Sequence, residues 1–227
     1  AAGNNRTLAL NSGTGGITFG AAVGASQALQ SLTISDADDV TLAAVTTRDG
    51  GISIATSGAS PTITLNGNLT TDVGTNAGSV SLTGPVTIGA GITIDTDHAS
   101  GTDGNVTFSS TINGAQALAI NSGTGAVSLG GAIGGTTALS SLTVSANGLT
   151  LAGAINTNGG AGVDFTGINT ATLAGNVTID TDAAGGVTNA GAVNFGTATV
   201  DGNAAGRTLT VDAPPDVEVA VAAGQET

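Results

Sequence analysis

The chain has 227 residues with a formal net charge of −13, 8% charged residues and 40% hydrophobic residues, and it lacks Cys, Met, Trp and Tyr. This charge excludes nucleic acid as a partner, because binding to phosphate relies on Lys and Arg, and only Arg6, Arg48 and Arg207 are basic. The low charge and positive mean hydropathy also exclude a disordered polymer, so we expect a core of Val, Ile, Leu and Ala.

No apolar run reaches the length of about 18 residues that a membrane-spanning helix needs, so no membrane insertion is expected. Residues 1–20 lack the charged start and apolar middle of a signal peptide. We therefore expect either a mature protein or a part of a longer one.

Internal repetition is the strongest feature along the chain. Residues 10–35 align without gaps to residues 120–145, with identity at 14 of 26 positions. Shorter echoes follow in chain order: RTLAL at 6–10 returns as RTLTV at 207–211, ITIDTD at 92–97 as VTIDTD at 177–182, and NVTF at 105–108 as AVNF at 192–195. A window cut from a longer tandem array has this appearance.

A short motif recurs with a period of about 22 residues. It consists of an apolar residue, then any residue, then a large apolar residue, and small residues follow it. Leu82 is an additional member that falls out of step. The large residues predict one structural core ladder formed by Phe19, Leu42, Leu65, Phe108, Leu129, Leu151, Leu173 and Phe195.

Each unit consists of short alternating strands separated by Gly, Asn, Asp and Ser, without helical periodicity. Three short strands and their bends fill one turn of a parallel β-helix, and repeats this short bury a face only by stacking. We predict an all-β, right-handed parallel β-helix (β-solenoid) of about ten coils over residues 1–212. A β-sandwich array is the alternative. Residues 213–227 depart from the pattern, because Pro214 and Pro215 interrupt a ladder, and are predicted to form a cap or a junction.

These features resemble the β-strand repeats of giant bacterial surface proteins and are similar to filamentous-haemagglutinin-like exoproteins and autotransporter passengers. The resemblance rests on the NSGTG-containing runs at 11–34 and 121–144, the TIDTD loops and the RTLTV strand, and covers residues 6–211. It implies export across a Gram-negative-type envelope, a cell-surface or extracellular location, and a structural or adhesive role without catalysis. The implied partners are other copies or neighbouring repeats, and cell-surface glycans or proteins.

Acidic loops are the candidate metal sites. Asp95, Asp97 and Asp103 lie in a Gly-containing loop, and Asp180 and Asp182 repeat its beginning. Oxygen ligands in flexible loops suit Ca²⁺, but the spacing matches neither an EF-hand nor the GGxGxD repeat. The favoured interpretation is that Asp forms turns and keeps the rod soluble, so that no cofactor is required.

An enzyme acting on polysaccharides is the main rival interpretation, because parallel β-helices also carry such enzymes. Only Asp38 and Asp39 form an adjacent acid pair, beside Asp36, and Lys, Trp and Tyr are absent. His98 is interpreted as a solvated loop histidine, so we expect no enzyme and no catalytic residue. Ice binding by Thr columns is a minor alternative.

Overall fold

A computed structural model describes residues 6–183 and 190–212, together with the backbone of Val219–Ala220. The described residues form strands without any helix, and accordingly none that could cross a membrane. The strands are β1 (Thr7–Leu10), β2 (Ile17–Phe19), β3 (Ser31–Ile34), β4 (Asp39–Leu42), β5 (Val45–Thr46), β6 (Ile52–Ala55), β7 (Thr62–Leu65), β8 (Leu69–Thr70), β9 (Val80–Thr83), β10 (Val86–Ile88), β11 (Ile92–Asp95), β12 (Val106–Phe108), β13 (Ile112–Asn113), β14 (Ala117–Asn121), β15 (Ala126–Leu129), β16 (Leu139–Leu151), β17 (Ile155–Leu173), β18 (Val177–Asp180), β19 (Val193–Asn194), β20 (Thr199–Gly202), β21 (Leu209–Asp212) and β22 (Val219–Ala220).

The strands stack in three parallel faces, which each turn of the chain visits in the order A, B, C. Face A contains β1, β3, β6, β9, β12, β15, the ends of β16 and β17, and β20. Face B contains β2, β4, β7, β10, β13, the start of β17, β18 and β21. Face C contains β5, β8, β11, β14, the start of β16, the middle of β17, β19 and β22. The predicted parallel β-solenoid is confirmed.

The core runs along the axis as columns of inward-facing apolar side chains. Strands alternate between buried and partly exposed residues, so every second side chain stacks on its equivalent in the next turn. The first inward column of face A has seven buried rungs, with the partly buried Leu8 and Val200 at its ends: Leu32, Ile52, Val80, Val106, Val127, Leu149 and Ala171.

The turns are longer than the sequence period predicts. The face A column takes eight steps from Leu8 to Val200, which are 192 residues apart, so a turn has ~24 residues where the prediction is about 22. The predicted count of about ten coils is not confirmed. The turns also differ in length, since Ile52 follows Leu32 by 20 residues whereas Val80 follows Ile52 by 28. Loops at the corners absorb this difference while the strands stay in register.

The predicted core ladder does not form one column. Seven of its residues are buried and Phe19 is partly buried, but they lie on different faces. Phe19, Leu42 and Leu65 stack on face B, Phe108, Leu129, Leu151 and Leu173 stack on face A, and Phe195 follows β19 of face C. Leu82, which falls out of step in the sequence, fills the face A position between Ile54 and Phe108. The motif marks a strand and carries no information about which face the strand joins.

The long sequence repeat is shifted by one face. Leu10 lies on face A, whereas its equivalent Ile120 lies on face C. Phe19 lies on face B, whereas its equivalent Leu129 lies on face A. The offset of 110 residues therefore spans about four and two-thirds turns, not five, and the three faces accept one another's strands.

The predicted boundary at residue 212 lies next to residues that the structure does not describe, which include Pro214 and Pro215. In the predicted tail, β22 pairs in parallel with β19.

Candidate functional site: polar corners and a hydroxyl column

The corner between face C and face A holds most of the predicted acidic site. Here the chain leaves β5, β8, β11 and β14 and returns to face A through loops of different length. In each of these loops a buried Thr or Ser hydroxyl donates a hydrogen bond to a Gly carbonyl, which we call a clamp. The three Thr hydroxyls close their own loops, whereas Ser122 bonds Gly104 of the preceding loop. The donor–acceptor distances are 2.7 Å for Thr47–Gly50, 2.5 Å for Thr71–Gly78, 2.7 Å for Thr96–Gly104 and 2.6 Å for Ser122–Gly104.

These hydroxyls form a buried polar column beside the apolar core. Thr47, Thr71, Thr96 and Ser122 are each 0% exposed, and the hydroxyls of Thr96 and Ser122 lie 3.2 Å apart. A buried hydroxyl needs a partner, and the clamp supplies one while it fixes the loop ends. Sequence reasoning missed this column, although each of the four residues comes directly after a face C strand.

Asp95, Asp97 and Asp103 lie in one loop at this corner, and their carboxylates accept hydrogen bonds from backbone N–H, amide and hydroxyl groups. Asp95 accepts hydrogen bonds from its own loop at Asp97 N (3.2 Å) and from Asn121 Nδ2 (3.4 Å), and Asp97 accepts one from Asn121 Nδ2 (3.1 Å). Asp103 accepts from His98 N (2.7 Å), Thr124 N (2.7 Å) and Thr124 Oγ1 (2.6 Å). All three carboxylates therefore connect one turn to the next.

The two ends of this loop are electrostatically different. Burial raises the pKa of Asp95 above its ordinary value, and the nearby carboxylates of Asp72 and Asp97 raise it further, against the hydrogen bond from Asp97 N. The hydroxyl and N–H of Thr124 lower the pKa of Asp103. Asp72 Oδ1 is a buried acceptor without a hydrogen-bond partner among the described residues.

Asp49 is a corner residue that the sequence analysis did not single out. Its Oδ1 atom accepts hydrogen bonds from Thr75 N (2.6 Å), Thr75 Oγ1 (2.7 Å) and Asn76 N (3.1 Å) in the following turn. These bonds, led by the one from the Thr75 hydroxyl, lower the pKa of Asp49 to about 2. Asp49 and Asp103 thus perform the same task at different heights of the rod.

His98 belongs to this network, which differs from the solvated position expected. A carbonyl can only accept, so Nε2 donates to Gly74 O at 3.1 Å. Nδ1 accepts from Gly101 N at 2.7 Å and from Ser100 N at 3.2 Å. The ring shapes its own loop and ties it to the preceding turn.

Asp180 and Asp182 repeat the TIDTD sequence but lie elsewhere on the solenoid. Asp180 ends β18 on face B, whereas Asp95 ends β11 on face C. Asp182 N donates to Asp180 Oδ1 at 3.0 Å, and Asp180 is in register with Asp212 of β21. Burial raises the pKa of Asp180, and the neighbouring carboxyls of Asp182 and Asp212 add to the rise. The two predicted acidic sites are therefore separate and differently built.

The third acidic cluster occupies the corner between face A and face B. Asp39 Oδ1 accepts a hydrogen bond from Thr62 N at 3.0 Å, and the Ser57 hydroxyl donates to Asp36 Oδ1. Asp38 N donates to Gly15 O of the preceding turn. The acid pair is thus part of the stacking between turns.

Among residues 6–183 and 190–212, no three acidic or histidine side chains are grouped as a metal ion would require. The Ca²⁺ site at Asp95, Asp97 and Asp103, with Asp180 and Asp182, stays a prediction.

Face A carries an outward column of hydroxyl groups. One position per strand is Thr or Ser through seven consecutive turns, and none of these seven strand segments contains a charged residue. The column is Thr33, Ser53, Ser81, Thr107, Ser128, Thr150 and Thr172. Unequal turn lengths hide this register in the sequence.

Comparisons of the chain with protein-family models, with curated proteins and with solved structures gave no match.

Proposed function

We propose that the chain is a non-catalytic rod module of an extracellular or cell-surface protein of a Gram-negative-type bacterium, with a structural or adhesive role. The observation that carries this proposal is the column of seven buried rungs on face A, which continues without interruption through turns of unequal length. A core of this kind resists bending, because every turn is hydrogen-bonded to the next along three faces. Right-handed winding of the solenoid is part of the proposal.

The placement of the acidic residues supports the structural role. Asp49, Asp103 and Asp39 each accept hydrogen bonds from the backbone of the next turn. A carboxylate held in this way fixes the stacking of two turns, whereas a catalytic acid or base has to reach a substrate. The net charge of −13 adds solubility and repels nucleic acid.

Adhesion and catalysis differ in turnover, so one experiment separates them. The 227-residue chain is coupled to beads, and the beads are mixed with bacterial and host surface glycans and with soluble polysaccharides. We expect binding or bead aggregation without the release of reducing ends. Saccharide cleavage that disappears in Asp38→Asn or Asp39→Asn would overturn the proposal in favour of the enzyme, with Thr62→Ser as the control variant at the same corner.

Ice binding is the second candidate function, and the hydroxyl column favours it. Neighbouring strands lie about 4.8 Å apart, so the column forms a regular uncharged row on a sheet face. This candidate predicts thermal hysteresis and faceted ice growth, both abolished by Thr107→Leu in the middle of the column. The matched control is Thr143→Leu, since Thr143 faces outward on face C. Ordinary freezing of the wild-type protein would exclude this candidate.

A further inference from the structure

Three strands of this solenoid are similar in sequence but differ in their neighbours. β14 (Ala117–Asn121) lies between β11 below and β16 above, with Leu118 in register with Ile92 and with Leu142. β1 carries the equivalent residue Leu8, and its pairing is with β3 above, where Leu8 faces Leu32. β21 carries the equivalent residue Leu209, and its pairing is with β18 below, where Leu209 faces Val177.

The neighbours are equivalent as well. The strand below β14 reads ITID and the strand below β21 reads VTID, while the strand above β14 reads SLTV and the strand above β1 reads SLTI. β21 therefore has the lower neighbour of β14, and β1 has its upper neighbour. Together these two end strands reproduce the surroundings of one interior strand.

Burial separates the interior strand from its two end copies. Leu118 is 1% exposed and Ile120 is 2% exposed, because a turn covers each side of β14. Leu8 and Leu10 of β1, and Leu209 and Val211 of β21, are only partly buried. Each end of the described rod thus presents an apolar strand with a neighbouring strand on one side, whereas the interior strand β14 has a neighbour on both sides.

We propose that a second copy of this chain docks head to tail, with β21 of the first copy taking the place of β1 beneath β3 of the second. The register follows the interior copy: Leu209 opposite Leu32, Thr210 opposite Thr33, and Val211 opposite Ile34 of the second copy. The exchange replaces one apolar strand by another of the same sequence type and buries the two end faces. The contact joins different surfaces of the two copies, so it continues into a filament.

The other two faces fit the same arrangement. In the interior, β15 lies over β12, with Val127 in register with Val106. Ile17 is the equivalent of Val127 and Val193 is the equivalent of Val106, so Ile17 of the second copy lies over Val193 of the first. There it takes the position that β22 occupies within one chain. Ile133 also lies over Ile112, which belongs to the segment TING at 111–114. Val23 is the equivalent of Ile133, and TVDG of β20 is the equivalent of TING, so Val23 of the second copy lies over β20 of the first. The second copy is turned by one face, as the internal repeat is.

A disulfide cross-link tests this register in the full 227-residue chain, which has no cysteine of its own. One preparation carries Thr210→Cys and the other carries Thr33→Cys, and the two are mixed and oxidised. Within one chain these positions lie at opposite ends of the rod, roughly 34 Å apart at about 4.8 Å per rung, so their disulfide forms only between copies. We expect a covalent heterodimer for this pair, and none for Thr210→Cys with Ser53→Cys, one rung farther along.

A stack without strand exchange gives a different outcome. Face A would then continue onto face A, and Asp201 of β20 would lie beneath Ala9 of the second copy. Cross-linking of Asp201→Cys with Ala9→Cys in place of the Thr210 and Thr33 pair would overturn the proposal. A chain that sediments as a monomer at every concentration and forms neither disulfide would overturn it as well.

Two substitutions in the end strands test the strand exchange, because they should change the cross-linking yield in opposite directions. Val211→Asp weakens the incoming strand and should lower the cross-linking yield at least tenfold. Leu8→Asp loosens β1 from β3 and should raise the yield, because β3 becomes available; a lower yield would contradict the exchange. Both side chains are partly exposed, and circular dichroism checks that the fold is kept.

This inference rests on the proposed rod function, and the experiments separate the two. A monomeric chain that still binds surfaces without turnover would overturn the head-to-tail contact and leave the rod function. Polysaccharide cleavage would overturn the rod function even if the cross-link formed.

Discussion

The rings of Phe165 and Phe195 pack against each other inside the solenoid, with centroids 5.3 Å apart and planes at 60°. Both side chains are 0% exposed. They stand two residues beyond Val163 and Val193, which are in register between β17 and β19. A tilted aromatic pair adds to the free energy of burial, so this contact anchors the late turns.

Truncating this pair should destabilise the rod strongly. We expect Phe165→Ala to lower the free energy of unfolding by about 3–5 kcal/mol, because the cavity lies between two turns that are fixed by their ladders. Urea unfolding followed by circular dichroism measures the change. Phe19→Ala in the first turn is the control and should cost clearly less, since Phe19 is only partly buried. Equal losses would contradict the account of the core.

The hydroxyl clamps give a second prediction, with a matched control inside the same protein. Thr71→Val keeps the side-chain shape but leaves Gly78 O without its 2.5 Å hydrogen bond, and should cost about 1–3 kcal/mol. Thr157 is equally buried, but its hydroxyl has no partner in the described part of the chain. Thr157→Val should therefore be neutral or stabilising, and thermal unfolding of both variants measures the difference. A loss at Thr157 as large as that at Thr71 would refute the clamp.

Glycines beside the clamps allow the turns to approach closely. A Cβ atom on Gly104 would lie 2.2 Å from Gly78 O, which belongs to the backbone of the preceding turn. We expect Gly104→Ala to cost about 1–3 kcal/mol in urea unfolding, because neither backbone can move without breaking ladder hydrogen bonds. Gly20→Ala is the control, since its Cβ would meet nothing within 4 Å. A destabilised Gly20→Ala variant would show that backbone freedom, and not space, is decisive.

The solenoid class was predictable because alternation and repetition are local properties of the sequence. Inward residues such as Val40 and Leu42 alternate with Thr41, and this pattern alone indicates a strand with one buried face. The number of turns was not predictable in the same way. Loops such as the one from Thr71 to Gly78 lengthen a turn without changing its strands, so a constant sequence period does not exist.

The candidate site was likewise predictable only in part. That Asp95, Asp97 and Asp103 share one loop was predictable from their spacing in the sequence. Their partners were not, since Asn121 and Thr124 belong to the next turn and face the loop only after the register is set. Asp49 was missed for the same reason: its partners Thr75 and Asn76 lie one turn later.

Asp180 should make the rod less stable at neutral pH than at acid pH. Its pKa is raised in the folded protein, so the folded state binds a proton more readily than the unfolded state. The resulting stabilisation is present below the ordinary pKa of 3.8 and is lost as the pH rises through the raised value. We expect Asp180→Asn to raise the melting temperature at pH 7 and to have little effect below about pH 4. Differential scanning calorimetry at the two pH values checks this, and a lower melting temperature at pH 7 would contradict it.

Asp49 should have the opposite dependence. Its pKa is lowered to about 2, so its hydrogen bonds to Thr75 and Asn76 stabilise the fold above the ordinary value of 3.8. That contribution is lost as the pH falls from about 4 towards 2. We expect the Asp49→Asn variant to lose less stability over this interval than the wild type, measured as the melting temperature against pH.

The control for Asp49 is Asp201→Asn, because Asp201 accepts a hydrogen bond from the adjacent Gly202 N and none from another turn within residues 6–183 and 190–212. If the Asp201→Asn variant follows the wild-type curve while Asp49→Asn flattens it, the acid sensitivity belongs to the bonds between turns. If both variants flatten the curve equally, relief of the overall negative charge is the cause, and the corner carboxylates do not fasten the turns.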